Sequence, residues 1–442
     1  MATTRPDPIN FRDHQLKEGN ALQRDAKGNA IACLSNIDKI LRGDSRWADV
    51  LGFNEMGHLV VKRKLPPFEG GTLGAWSDVD EIRTQIWLSR EYGFNAKVND
   101  VRQCILSAAT SAPFHPVREY LDGLAWDGEP RVREAVFTHF GAEDAGERGE
   151  YHMLAFTKWL LSAVARIYRP GCKADNVLIL EGPQGKLKST SLAALGGEWF
   201  MDTPFHIGSR DAFLVLQGMW IVELAELDGF TRAESSAAKA FFSSPKDRYV
   251  PKYIAHPVQV LRSCVFAGTV NLGAYLHDKT GNRRYWPVRV GKIDLEALVR
   301  DRDQLWAEAV QLYRDGVKWY VEPDEVEKFA VEQEAREIPD ALEDRIREYL
   351  AGQPETSMMA ILEGCLALEY RDWSHALQTR IGQILAKLGW EVAERKRSDK
   401  TSRRRVYRPK AAPPDSAPQP VQPGPTSPEG GPPRAKQNSD LP

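Results

Sequence analysis

The chain has 442 residues, 42% of them hydrophobic, which suits about two to four domains with real cores. Its formal net charge of −2 singles out no polyanionic partner, so only local clusters of Lys and Arg can point to one. Five cysteines (Cys33, Cys104, Cys172, Cys264, Cys365) without a C-x-x-C pair argue against a zinc site and for a reducing compartment. With no apolar run near the roughly 20 residues of a membrane span, and no signal-peptide core after Met1, the chain reads as soluble and cytoplasmic.

Residues 1–30 are polar and weakly patterned, and read as a flexible arm. Residues 31–115 form a mixed α/β N-terminal region, with a helix over Asn36–Leu41, a strand over Gly57–Val61 and a capped helix from Ser77 to Tyr92. The Asp78-x-Asp80 pair also fits a metal-binding primase signature, but acidic residues favour a first helical turn, and the cap reading is preferred. Residues 116–170 are a helical lead-in, with the strongest apolar period over Tyr151–Ile167. From 171 to 335 strands and helices alternate until about 290, the signature of an α/β sheet, and amphipathic helix follows. Residues 340–410 form a separate small unit. Residues 411–442 hold ten prolines from Pro413 onward, cannot bury a core, and are expected to be disordered.

The run Val177-Leu178-Ile179-Leu180-Glu181-Gly182-Pro183-Gln184-Gly185-Lys186-Leu187-Lys188-Ser189-Thr190 carries the clearest chemistry. A buried strand leads into a glycine-containing turn and then a helix start. The P-loop pattern G-x-x-x-x-G-K-[ST] fits from Gly182 to Ser189, with Leu187 in the second glycine's place. Placing the lysine at Lys186 instead would need a glycine at 180 and a hydroxyl at 187, where Leu180 and Leu187 stand. In the favoured register loop N–H groups converge on a β-phosphate, Lys188 neutralises the β/γ-phosphates and the Ser189 hydroxyl holds Mg²⁺. A glycine before the lysine permits close approach and φ > 0. Leu187 is harmless at negative φ, whereas at positive φ it impairs nucleotide binding. An ordinary Gly-Pro turn between strand and helix is the competing reading.

A second strand, Trp220–Leu224, offers Glu223 and, past its end, Glu226 as the acidic residue required on a strand beside the P-loop strand. Solvent-facing carboxylates on an edge strand are the alternative. A third strand, Cys264–Gly268, leads to Asn271, either a γ-phosphate contact or a turn residue. Arg283 and Arg284 precede an aromatic strand and suit phosphoryl transfer, often across a subunit boundary, or DNA phosphate, or a bland surface turn. Lys246-Asp247-Arg248-Tyr249 is a further basic candidate, with Asp247 and Arg248 as a possible local ion pair.

The order of these pieces strongly resembles the virulence-associated protein E family of P-loop ATPases from phages, plasmids and genomic islands. Carrying the resemblance are Pro170–Asp175, the P-loop run, Trp220–Leu227, Asp247–Tyr249, Gly268–Asn271 and Gly281–Val288, with Phe114–Leu121 and Trp126–Arg131 upstream. It implies a AAA+-like, superfamily 3 helicase-like core in mobile-element replication, using ATP and Mg²⁺ (held by Ser189 and Glu223), in a homo-oligomeric ring with DNA and replication proteins as partners. By position, Lys188 and Ser189 match the P-loop pair and Glu223 and Glu226 the acidic strand. Asn271 matches the sensor and Arg283 and Arg284 the arginine pair. Leu187 departs from the pattern.

In residues 340–410 the segments Ala341–Leu350, Met358–Leu366 and Ala376–Leu388, then a hairpin, describe a winged helix. Arg395, Lys396, Arg397, Arg403, Arg404 and Arg405 belong to a strongly basic hairpin suited to DNA phosphates, and Arg380 lies on a third helix suited to a major groove. The expected fold is thus α/β: a P-loop AAA+-like ATPase core, a helical N-terminal region and a C-terminal winged helix. The expected function is an ATP-dependent helicase or replication ATPase. A non-hydrolysing DNA-binding scaffold that keeps the fold, or a regulator interfering with another phage, are the alternatives.

Overall fold

A computed structural model describes residues 21–410 except 144–145, 208, 210–211, 225–231, 250–256, 272, 277–280, 339 and 400–401; side chains at 232–236, 249, 258, 394–399 and 402–404 are also outside the description. The chain divides into two units, Met1–Ile338 and Pro339–Pro442.

The first unit begins with α1 (Leu34–Gly43), β1 (Leu51–Asn54), β2 (Leu59–Lys62), β3 (Gly74–Ala75), α2 (Asp78–Tyr92), α3 (Val98–Thr110) and β4 (Pro113–Phe114). The strands form a sheet in the order β3-β2-β1-β4 over a core of Ile37, Ile40, Trp47, Trp87, Leu88 and Val101. Asp80 closes a capping box with Ser77 and is buried in an ion pair with Lys62, so its carboxylate is committed to structure, as the cap reading expects. Residues 21–30 do not trail as an arm. Leu22 is buried, and the Gln23 N–H donates to Asn36 Oδ1 at 2.8 Å.

Next come α4 (Pro116–Gly123), α5 (Ala135–Thr138) and α6 (Gly146–Tyr168). Helix α6 is apolar on nearly every side from Ala155 to Ile167, so it is buried almost all round rather than along one stripe. It covers a sheet built from β5 (Val177–Glu181), β6 (Phe200–Met201), β7 (Ile221–Leu224), β10 (Val265–Val270) and β11 (Tyr285–Arg289). Between these strands run α7 (Lys188–Gly196), α8 (Ala212–Val215), α9 (Arg232–Ser243) and a hairpin of β8 (Lys246–Tyr249) and β9 (Val258–Leu261). The sheet is all-parallel in the order β11-β5-β10-β7-β6. Period-two alternation sends Leu178 and Leu180 of β5 to one core, with Leu192 and Leu195 of α7, Trp159 of α6 and Trp306 of α10 (Leu295–Arg314). Val177 and Ile179 join a second core with Phe241, Phe242 and Phe266. Helix α11 (Val326–Glu334) completes this unit's helices.

The β8–β9 hairpin was not legible in the sequence. Nor is Asp247 paired with its neighbour Arg248: it is buried against Arg262, whose Nε donates to Asp247 Oδ2 at 3.0 Å.

The second unit contains α12 (Glu343–Leu350), β12 (Thr356–Ser357), α13 (Met358–Ala360) running into a π-helical turn (Ile361–Cys365), α14 (His375–Lys387), β13 (Trp390–Asp399) and β14 (Ser402–Pro409). Its sheet, β12-β14-β13, is antiparallel, and Ile346, Ile361, Leu362, Ile381, Ile384 and Trp390 pack beneath it. The helical trio and hairpin match expectation, while β12 is an addition. The proline-rich segment 411–442 lies outside the described residues. No described helix is long and apolar enough to cross a membrane.

Candidate functional site

Because the five strands are parallel, their C-terminal ends share one edge of the sheet, and the loop from Gly182 to Leu187 leaves that edge from β5. Three positions make the loop. Gly182 donates its N–H to Val270 O at 3.2 Å, and a Cβ there would meet Val290 O at 3.2 Å. Gly185 sits at φ +81° with open space around it. Leu187, the N-cap of α7, sits at φ +62°, ψ +24°, with its side chain 45% exposed. The condition set by sequence for a strained residue is therefore met: Leu187 occupies the left-handed region that glycine normally takes.

Lys188 opens α7 and is buried, while Lys186 is exposed. Lys188 Nζ donates to the carbonyls of Gly182 (2.6 Å) and Pro183 (2.9 Å), placing the ammonium inside the curve of the loop. Burial lowers its pKa from the ordinary lysine value, and the nearby Glu223 charge partly opposes that.

Glu223 does not lie on the strand beside β5, as the sequence reading required; β10 intervenes. The site forms nonetheless. Register pairs Glu223 with Ala267 and Ala267 with Leu178, so period-two alternation puts Glu223 on the face that α7 covers. Ser189 Oγ of α7 donates to Glu223 Oε1 at 2.7 Å, and Thr269 Oγ1 of β10 donates to the same oxygen at 2.7 Å. The other oxygen, Oε2, is buried without a hydrogen-bond partner among the described residues. A buried carboxylate with one oxygen unsatisfied, beside a serine hydroxyl, fits a hard divalent cation with oxygen ligands. Glu226 lies outside the described residues.

Strand β10 runs to Val270, so Asn271 is the first residue past it and is exposed next to the start of the loop. Gln184 and Thr190 are exposed on the same loop and helix start.

Arg283 and Arg284 are elsewhere. They form a short 3₁₀ turn before β11, whose Tyr285 pairs with Val177 at the beginning of β5. They therefore sit at the opposite edge of the sheet, about 13 Å along β5 at roughly 3.3 Å per residue. A single chain does not bring them to Lys188. Arg284 donates to Ser243 Oγ at 2.8 Å and pairs with Asp175 at 3.3 Å. Arg283 is exposed and, with Arg169, Lys173 and Lys318, lines a cavity of about 900 Å³.

In the second unit Arg380 is held by Asp340, Nη2 to Oδ1 at 2.6 Å, so its charge is already balanced. Arg405 is exposed and joins Gln378, Thr379 and Gln383 along a cavity of about 820 Å³. The hairpin register sets Arg395 opposite Arg405, Lys396 opposite Arg404 and Arg397 opposite Arg403.

Sequence reasoning missed Thr269 as the second donor to Glu223. The signal was available, because Thr269 is two residues from Ala267 and shares its face. It also missed Lys173 and Arg169, whose grouping with Arg283 is set by long-range packing alone.

Residues 121–338 match the family model of the Virulence-associated protein E-like domain. Over those residues the chain carries a domain of this family, as the order of its motifs implied. Among solved structures it is similar to the apo structure of NrS-1 C terminal region (305-718), at 15% identity and TM-score 0.41, over 80% of this chain and 95% of that one. An A form apo structure of the same region gives 14% identity and TM-score 0.43, over 81% and 96%. No curated protein matches.

Proposed function

We propose that the chain is a P-loop ATPase with a AAA+-like core and a C-terminal winged helix, acting on DNA in the replication of a phage or other mobile element. The observation that carries this reading is the convergence on Glu223 Oε1 of Ser189 from α7 and Thr269 from β10, beside the buried Lys188. Three segments far apart in sequence meet at the sheet edge from which the Gly182–Leu187 loop leaves β5. In this reading the loop N–H groups and Lys188 bind the β- and γ-phosphates of ATP. Ser189 and Glu223 would hold Mg²⁺, which when bound neutralises phosphate charge. Asn271, exposed just past β10, would contact the γ-phosphate in this reading.

Two features support an oligomer. Arg283 lies at the far edge of the sheet from its own loop, and with Arg169, Lys173 and Lys318 forms a cationic face. In a head-to-tail ring that face meets the neighbour's phosphate loop, where positive charge stabilises phosphoryl transfer. DNA binding is supported by the composition of the hairpin, whose backbone register pairs Arg395, Lys396 and Arg397 of β13 with Arg405, Arg404 and Arg403 of β14. So many basic residues in one hairpin suit the phosphates of a polyanion. With Arg380 neutralised, the hairpin supplies affinity while α14 presents neutral hydrogen-bonding groups.

The strain at Leu187 favours a second reading, a protein that keeps the fold and binds DNA without turnover. DNA-stimulated ATP hydrolysis by wild type and Lys188→Ala separates the two. Turnover in wild type that Lys188→Ala abolishes is the expected result, and absence of nucleotide binding in wild type would remove the enzyme reading. For the hairpin, Arg403→Ala/Arg404→Ala/Arg405→Ala should reduce the slope of log affinity against log salt by up to about 2.7, at roughly 0.9 for each phosphate no longer neutralised. Unchanged DNA affinity and slope would count against that surface.

A further inference from the structure

At the base of the phosphate loop lies a closed ring of polar contacts that no sequence motif announced. Arg336, just after α11, directs Nε and Nη2 at the Glu181 carboxylate (2.9 and 2.8 Å), and Nη1 at Glu332. Its own carbonyl accepts the N–H groups of Tyr275 (3.1 Å) and Leu276 (3.0 Å). The Tyr275 hydroxyl then donates to Glu181 Oε1 at 2.7 Å, completing the circuit. All three residues are buried.

The location gives the circuit its meaning. Glu181 is the last residue of β5 and immediately precedes Gly182. Tyr275 lies four residues past Asn271, on the segment that leaves β10. One arginine thus ties the chain entering the phosphate loop to the chain leaving the Asn271 position. The next residue but one extends the tie, since Ile338 N–H donates to Leu276 O at 3.0 Å; between them, Glu337 Oε1 accepts from Asn282 of the arginine turn at 3.1 Å. Burial works against the Arg336 charge, but the Glu181 and Glu332 carboxylates more than offset it and hold the guanidinium protonated. The tie is therefore permanently charged at physiological pH. An arginine fits because its planar fork spans both carboxylates, which a lysine's single ammonium does not.

We propose that Arg336 is a positioning residue for hydrolysis, fixing the phosphate loop and the Asn271 segment relative to each other through Glu181 and Tyr275. This rests on the ATPase reading above. Loop amides and Lys188 supply nucleotide affinity locally, whereas turnover requires groups from both segments to be placed within about 1 Å. Loosening the tie should separate the two.

The test uses full-length Arg336→Lys and Tyr275→Phe, the second of which deletes only the hydroxyl that closes the circuit. Affinity is read at equilibrium with a fluorescent ATP analogue, turnover by phosphate release, and folding by thermal melts. The expected result is a fall in kcat of about tenfold or more in Arg336→Lys, and a smaller fall in Tyr275→Phe, with nucleotide affinity within about threefold of wild type. Wild-type kcat in both variants overturns the proposal. So does a parallel loss of affinity, turnover and melting temperature in both, which is the pattern of a merely structural role. A wild type that neither binds nor hydrolyses nucleotide overturns the ATPase reading and this one together.

Discussion

Leu187→Gly should be more stable than Leu187→Ala. At φ +62°, ψ +24° the leucine Cβ crowds the following carbonyl, which costs about 1–2 kcal/mol for an L-residue. Glycine removes that cost, but widens the unfolded ensemble by roughly 0.4–1 kcal/mol. Leu187 is 45% exposed, so trimming its side chain gives up roughly 1 kcal/mol of partial burial, a loss that an alanine variant shares. Measured against Leu187→Ala, the net gain is then up to about 1.5 kcal/mol, or roughly 2 °C in Tm for a unit spanning Met1–Ile338. Leu187→Ala is the control, since it trims the side chain and keeps the Cβ that causes the strain. The difference between the two variants, read by thermal and denaturant unfolding, isolates the backbone effect. The left-handed backbone at Leu187 belongs to the folded loop, so the strain is incurred on folding, and, contrary to the expectation from sequence that a leucine at positive φ impairs nucleotide binding, ATP affinity of Leu187→Gly should match wild type within about threefold. Two results would refute this reasoning. One is a glycine variant that melts no higher than the alanine variant. The other is a tenfold gain in affinity, which would place about 1.4 kcal/mol of the strain in the binding step.

His115 caps α4 by accepting the Arg118 N–H at Nδ1 (3.3 Å), and burial, then the Arg118 charge, pushes its pKa down to about 4. Its folded value lies below the ordinary 6.5, so the unfolded chain takes up a proton that the fold refuses, and about 3 kcal/mol of stability is lost as pH falls from 6.5 to 4. His115→Asn keeps a capping acceptor without titrating, and its stability should fall less steeply over that window; identical slopes would show that His115 is not the source. The buried Arg262–Asp247 pair at the base of the β8–β9 hairpin gives the other stability prediction. Arg262→Met leaves a lone buried carboxylate and should cost about 3–5 kcal/mol in chemical denaturation, while Arg262→Met/Asp247→Leu recovers most of it. A double variant no more stable than the single one would contradict that account.

Much of the site was legible because its chemistry is local. A strand, a glycine-containing turn and Lys-Ser at a helix start are neighbours in sequence, and Lys188 was separable from Lys186 by spacing alone. The Ser77–Asp80 cap was legible for the same reason. Strand order was not. Nothing in the residues of β7 and β10 says which of them lies against β5, and placing Glu223 beside β5 was wrong for that reason. The end of β10 is fixed by long-range pairing, with Val270 buried and paired with Glu181. The Arg336 circuit was invisible because its members are 61 to 155 residues apart, and only the packed chain makes them neighbours. Basic side chains were over-read at Arg380, where an acidic residue 40 positions earlier holds the charge.

The far-edge position of Arg283 has a consequence for mixtures. On the proposed reading, a chain with its phosphate loop at one pole and its cationic turn at the other owns two different half-sites and no whole one. In a ring read as proposed, each subunit lends its arginine to one neighbour and borrows from the other. A subunit lacking Lys188 and one lacking Arg283 would then each fail alone, yet alternate in a mixed ring so that half the junctions pair an intact loop with an intact arginine. Two inactive proteins would restore activity when combined, a behaviour unavailable to an enzyme whose groups all come from one chain.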